Sequence, residues 1–108
     1  MASKGSVIPA SALSGWKNEA AFQRAVIDLC TALGWRHYHT HDSRRCVPGF
    51  PDLVLVRPPR VIFAELKMQR GRVSIHQQGW LRALSQCDGV EAVLWRDNMW
   101  DSIVQCLT

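Results

Sequence analysis

The chain lacks any apolar run near the roughly 20 residues that a membrane-spanning helix requires and has few low-complexity tracts, so its composition is that of a globular protein. Its four cysteines, Cys30, Cys46, Cys87 and Cys106, are scattered and contain no CxxC pair, which argues against a structural zinc site and against a disulfide framework. Cys30, Cys87 and Cys106 stand among apolar neighbours and read as small core side chains. No secretory leader is visible at Met1-Ala2-Ser3-Lys4, and with reduced thiols the expected location is the cytoplasm. A second domain has no room: 108 residues suit one domain that buries about two-thirds of its unfolded surface. Acids are also few, nine against thirteen Lys and Arg, for a net charge of +4 and a pI near 9.2. If several of those acids gather at one site, the remaining surface is more basic than the total, which points to an anionic partner.

What is present centres on Pro48 to Lys67, PGFPDLVLVRPPRVIFAELK. Leu53–Arg57 and Val61–Leu66 are crowded with Val, Ile, Leu and Phe and read as two strands of a hairpin. With a symmetric loop at Arg57-Pro58-Pro59-Arg60, Val56 faces Val61, Val54 faces Phe63 and Asp52 lands opposite Glu65, about 5 Å away. Lys67 shares the face of Glu65. Pro58 and Pro59 cannot supply positive φ angles, so a loop wider than two residues is expected. Two carboxylates at about 4 Å repel by roughly 4 kcal/mol in a partly screened environment, which raises the pKa of one of them unless a cation intervenes. Oxygen-only ligands suit Mg²⁺ or Mn²⁺, and Mg²⁺ leaves positions for water and phosphate. The plainer alternative is that Asp52 ends a turn while Glu65 and Lys67 form an ion pair on a solvated face, but the strand around them is apolar on both faces, as in a buried central strand.

The flanking segments supply further candidates. Residues 1–15 have little periodicity and are expected to form a flexible arm, leaving residues 16–108 as the domain. From Trp16 to Leu33, Phe22, Val26, Cys30 and Leu33 recur at helical steps, and Gly34 stops the helix. One step back along that stripe lies Glu19, which then faces the fold; a first-turn acid favouring the helix dipole is an equal reading. Trp35–Thr40 alternates as a strand with His37, His39 and His41 of one parity, too far apart along one strand to share a zinc ion. His39 or His41 is instead a candidate to contact a phosphate or to line the cleft. Arg44 and Arg45, in the loop leading to Asp52, could hold phosphates bidentately or be simply solvated, and Gly49 allows a close backbone approach. Arg70 and Arg72 form a basic turn after Lys67. Ser74 and Gln77 have the spacing of a capping box, opening a helix whose buried side is marked by Ile75, Leu81 and Leu84. Gly79 within it suggests close approach by another element. Val90–Trp95 reads as an interior strand, and Asp97 or Asn98 caps a last helix with Trp100, Ile103, Val104 and Leu107 on its apolar side. Trp16, Trp80, Trp95 and Trp100 suit either an interface or the core.

Pro51-Asp52 followed by Glu65-Leu66-Lys67 resembles the PD-(D/E)XK motif of restriction-endonuclease-like nucleases. With GFPDLVLV, VIFAELK, Gln77 in SIHQQGWL and VLWR, nearly the whole chain from Glu19 to Leu107 is similar to the VRR-NUC (virus-type replication-repair nuclease) branch. The resemblance implies an α/β fold of order αβββαβα, a mixed β-sheet flanked by helices. It implies a metal-dependent DNA endonuclease that uses Mg²⁺ or Mn²⁺ held by Asp52, Glu65, the carbonyl of Leu66 and Glu19, with Lys67 and Gln77 as further catalytic residues. It also implies branched or double-stranded DNA as partner, a homodimer, and a phage or mobile-element origin, so that the cytoplasm would be that of a bacterium or a phage-infected host. A DNA-binding module without chemistry and a sequence-specific restriction enzyme are the alternatives.

Overall fold

The computed structural model describes residues 15–40 and 47–108. Asn18 opens the first helix, its side chain accepting the N–H of Ala21 at 2.9 Å and thereby satisfying a donor that the helix cannot. The elements in order are α1 (Glu19–Ala32), β1 (Arg36–His39), β2 (Leu53–Arg57), β3 (Arg60–Lys67), α2 (Ile75–Ser85), β4 (Glu91–Arg96), a 3₁₀ turn (Asp97–Met99) and α3 (Trp100–Leu107). This is the expected αβββαβα order. Apart from Gly15, the arm expected over residues 1–15 lies outside the described residues, as do His41, Arg44, Arg45 and Cys46.

The four strands form one mixed sheet in the order β1-β2-β3-β4; the first two pairings are antiparallel and β3–β4 is parallel. A parallel pair needs a crossover, and α2 supplies it, packing against β3 and β4. Leu53, Leu55, Ile62, Ala64 and Leu66 line one face and are fully buried, joined in the core by Phe22, Val26 and Cys30 of α1 and by Trp100, Ile103 and Leu107 of α3. Period-two alternation therefore puts Val54, Val56, Val61, Phe63, Glu65 and Lys67 on the opposite face, the one on which α2 lies.

The hairpin register is the one that symmetry demands, Val56 opposite Val61 and Val54 opposite Phe63. The loop itself differs from expectation. Arg57 pairs directly with Arg60, so the connection is only Pro58 and Pro59, joined by a cis peptide bond. A cis proline at the third position of a turn reverses the chain without any positive φ. Four other readings are corrected. Helix α1 begins at Glu19 rather than Trp16, whose ring instead lies 5.3 Å from Phe22 and 5.0 Å from Trp100. Strand β4 lies at the edge of the sheet among the described residues, and most of it is half-buried. Helix α3 is entered through the 3₁₀ turn, with no side-chain cap from Asp97 or Asn98. Cys87 is exposed, whereas Cys30 is buried, which pushes its thiol up to about 12.

The end of α3 is tied back to the hairpin. Trp35 Nε1 donates to the Leu107 carbonyl at 2.9 Å, Arg57 to Leu33 and Leu107, and Arg60 to Cys106. These donors satisfy last-turn carbonyls that have no partner within the helix. Both guanidiniums also lie over the Trp35 ring, at 4.6 and 5.1 Å from its centroid.

Helix α2 is the least covered of the helices. None of its residues is fully buried, and Ile75 is 82% exposed rather than on the inner side. Gln77, Trp80, Leu81 and Leu84 form the half-buried face that meets the sheet. Gly79 points into open space, contrary to the expected close approach, so Gly79→Ala should raise stability by about 0.5–1 kcal/mol through helix propensity alone. Gly49 is the opposite case. Its φ is +89°, and a Cβ there would come within 2.7 Å of Gln77 N and collide with the His76 backbone, so Gly49→Ala should lower stability by about 2 kcal/mol or more. Urea unfolding of the two variants checks both signs.

Candidate active site

Asp52 stands immediately before β2, where the hairpin register brings it beside the end of β3. Its Oδ2 accepts the N–H of Leu66 at 2.9 Å, taking the place of a strand partner. A strand residue presents its N–H and C=O to the same neighbouring strand, so the Leu66 carbonyl faces the Asp52 side as well. The next side chain on that face is Glu65, which is 1% exposed and the one buried charged residue among those described. Glu65 Oε2 accepts from Gln77 Nε2 at 2.7 Å and lies 4.0 Å from Lys67 Nζ. Its Oε1 is buried and has no hydrogen-bond partner among the described residues.

Burial dominates the electrostatics. Removed from water and facing the charge of Asp52, the Glu65 carboxyl is pushed up to about 8, against a smaller downward pull from Lys67. The side chain is therefore held where its anion is least tolerated unless a positive charge joins it.

Gln77 serves two partners at once. Its Oε1 accepts the N–H of Ser74 at 2.8 Å and its own N–H donates to Ser74 Oγ at 3.1 Å, completing the capping box, while Nε2 reaches Glu65. The helix that carries it is seated by the loop before Asp52. Trp80 Nε1 donates to the Pro48 carbonyl at 3.1 Å, Phe50 packs edge-on against Trp80 and Phe63, and Gly49 admits the α2 backbone. The close approach expected at Gly49 is thus made by this helix.

The remaining candidates are dispersed. Glu19 is exposed at the first turn of α1, not turned toward the fold, because Trp16 fills that end of the apolar stripe. His39 pairs with Leu53 and so belongs to the sheet face opposite Glu65. Arg70 and Arg72 are exposed on the turn after Lys67. Among the described residues no three His, Cys, Asp or Glu side chains converge as a metal-binding group, so Glu19 does not join Asp52 and Glu65, and no histidine cluster forms. Sequence reasoning missed Arg96. It sits beside Lys67 in the parallel register and donates to carbonyls of the 68–71 turn, but only the pairing of β4 with β3 reveals this.

The VRR-NUC domain model matches residues 9–98. The chain belongs to the VRR-NUC family. The match begins inside the segment expected as an arm. A solved structure described as a VRR_NUC domain superposes with a TM-score of 0.65 at 20% identity, covering 81% of this chain and 94% of that one; at that identity the likeness speaks for the fold. No curated protein matches. As a VRR-NUC domain the chain is a nuclease of the PD-(D/E)XK type, with DNA as substrate. VRR-NUC nucleases are in general metal-dependent, and the residues here fit a hard divalent cation: two adjacent carboxylates, a buried oxygen without a donor among the described residues, and a carbonyl on the same side.

Because the folded pKa of Glu65 lies above the ordinary 4.5, the folded state binds more protons than the unfolded state between the two values. Metal-free stability therefore falls as pH rises from about 4.5 to about 8, by an amount on the order of a few kcal/mol. Glu65→Gln should flatten that slope and stabilise the metal-free protein at pH 8. Denaturant titrations at pH 5 and pH 8 with EDTA measure it.

Proposed function

We propose that the chain is a Mg²⁺- or Mn²⁺-dependent DNA endonuclease in which Asp52, Glu65 and the Leu66 carbonyl hold the ion. The observation that carries this reading is the Asp52–Glu65 pair with its unpartnered buried oxygen, an arrangement that is unfavourable without a cation. When bound, the cation supplies Lewis acidity to a water and to the scissile phosphate. Asp52 is oriented for ligation by the Leu66 N–H, and Glu65 by the Gln77 amide. Lys67, whose Nζ lies 4.0 Å from Glu65 Oε2, acts by charge and hydrogen bonding on the phosphate. Glu19, in its exposed position, is left outside this set.

Exposed Arg70 and Arg72 lie one turn beyond Lys67 and are suited to the DNA backbone on either side of the cut. Arg44 and Arg45 are proposed for the same role from their place in sequence before Asp52. A branched substrate, a homodimer that pairs two sites, and a phage or mobile-element setting follow from the family reading; a single chain offers one site, and paired cuts at a symmetric junction call for two.

Incubation of the chain with labelled four-way junction, flap, duplex and single strand, in Mn²⁺, Mg²⁺ or EDTA, tests the proposal. Metal-dependent cutting, with preference for the junction, is the expected result; binding without cutting on every substrate would leave a DNA-binding module, and discrete cuts in plain duplex a restriction enzyme. Asp52→Ala and Glu65→Ala should each lower cutting by about a hundredfold or more while the fold persists. In a salt titration of DNA affinity, Arg70→Ala and Arg72→Ala should each reduce the slope of log K against log salt by about 0.9.

A further inference from the structure

The turn that follows Lys67 is held by one side chain from another strand. Arg96, the last residue of β4, pairs with Lys67 in the parallel register. Its NH1 donates to the carbonyls of Met68 at 2.8 Å, Gly71 at 2.8 Å and, more weakly, Gln69 at 3.3 Å. The turn closes on itself through Gly71 N–H to the Met68 carbonyl at 2.9 Å. Three carbonyls of four consecutive residues thus converge on one guanidinium nitrogen, and without it they would crowd one another with their negative ends inward. The turn in turn backs onto the lysine. A Cβ at Gly71 would lie 3.2 Å from Lys67 Cδ, so Gly71 faces the aliphatic stem with room for little more than a hydrogen between them, and the Lys67 side chain is only 17% exposed.

We infer that Arg96 is a positioning residue: by clamping the 68–71 turn against the Lys67 stem it fixes the ammonium beside Glu65. A lysine stem has four rotatable bonds and loses much rotamer freedom when ordered. Among the described residues the Lys67 head has its 4.0 Å ion pair with Glu65, and its stem is faced by the turn that Arg96 holds. A displacement of about 1 Å at a reacting group costs up to about a hundredfold in rate, so the clamp acts on catalysis at a distance. The effect on rate rests on the nuclease reading above; the effect on Lys67 itself does not.

The chain has three lysines, Lys4, Lys17 and Lys67, so reductive methylation with ¹³C-formaldehyde, followed by NMR of the metal-free full chain, resolves each, with Lys67→Arg assigning the signal. In the wild type Lys67 should be modified about tenfold more slowly than exposed Lys17. Arg96→Met should bring the Lys67 rate to within about twofold of Lys17, and Arg96→Lys, whose ammonium offers three donors to the same three carbonyls, should restore protection. With metal and DNA, Arg96→Met should lower kcat about tenfold or more and change KM less than about threefold, with Arg96→Lys near wild type. A folded Arg96→Met with unchanged Lys67 reactivity and kcat would overturn the inference, whatever it did to Tm. So would wild-type Lys67 reacting as fast as Lys17, which decides the matter even if Arg96→Met does not fold. Absence of cutting by the wild type would instead overturn the nuclease reading, and the methylation rates would still judge the clamp.

Discussion

Two carboxylates held side by side with one of them out of water are a constraint that no apolar packing can relieve. Glu65 sits in a central strand, 1% exposed, with Asp52 fastened next to it by the Leu66 N–H. Of its two oxygens one has Gln77 and, at 4.0 Å, the Lys67 ammonium, and the other has no hydrogen-bond partner among the described residues. A fold optimised only for stability would place an apolar side chain here, because an unpaired buried charge is among the most costly groups a protein can carry. VRR-NUC nucleases are in general metal-dependent, and a divalent cation is the partner that would turn this repulsion into attraction.

The rest of the architecture sets the spacing of that pair. The two-proline turn defines the register of β2 against β3, and the register delivers Asp52 to Glu65. The core on the far face, from Leu53 to Leu66, keeps the strands from slipping, since a slip of one residue would turn Glu65 into the apolar interior. On the near face, α2 is lightly covered and is seated by its packing on β3 and β4, by contacts with residues 48–50 and by the amide of Gln77. One acid is therefore carried within β3 and the other at the entry to β2, while the helix that orients one of them is free of deep burial. That division suits a site into which a large polyanion must enter.

Much of this is legible in the residues. Period-two alternation and the symmetry of the loop are enough to pair Val54 with Phe63 and to place Asp52 near Glu65, because strand geometry leaves few other choices once both faces are specified. The same economy reads the capping box at Ser74 and Gln77. What escapes is whatever depends on contacts distant in sequence. The cis peptide that closes the turn in two residues is not encoded in any periodicity. Ile75 looks like a core residue and is exposed, since the helical stripe tells which side chains share a face but not whether anything covers it. Glu19 falls on the extrapolated stripe of α1, yet Trp16 takes the space at that end. Arg96 gains its meaning only when β4 comes to lie parallel to β3, a pairing that lies beyond local pattern.

The most direct test of the central claim is the ionisation of Glu65 itself, followed through the ¹³C chemical shift of its side-chain carboxyl between pH 4 and pH 10, first in EDTA and then with saturating Mg²⁺. The account predicts a midpoint near 8 without metal and its displacement to below about 5 with Mg²⁺, as the ion takes the place of the proton. A midpoint near the ordinary carboxyl value in EDTA, or one that Mg²⁺ leaves where it was, would contradict it.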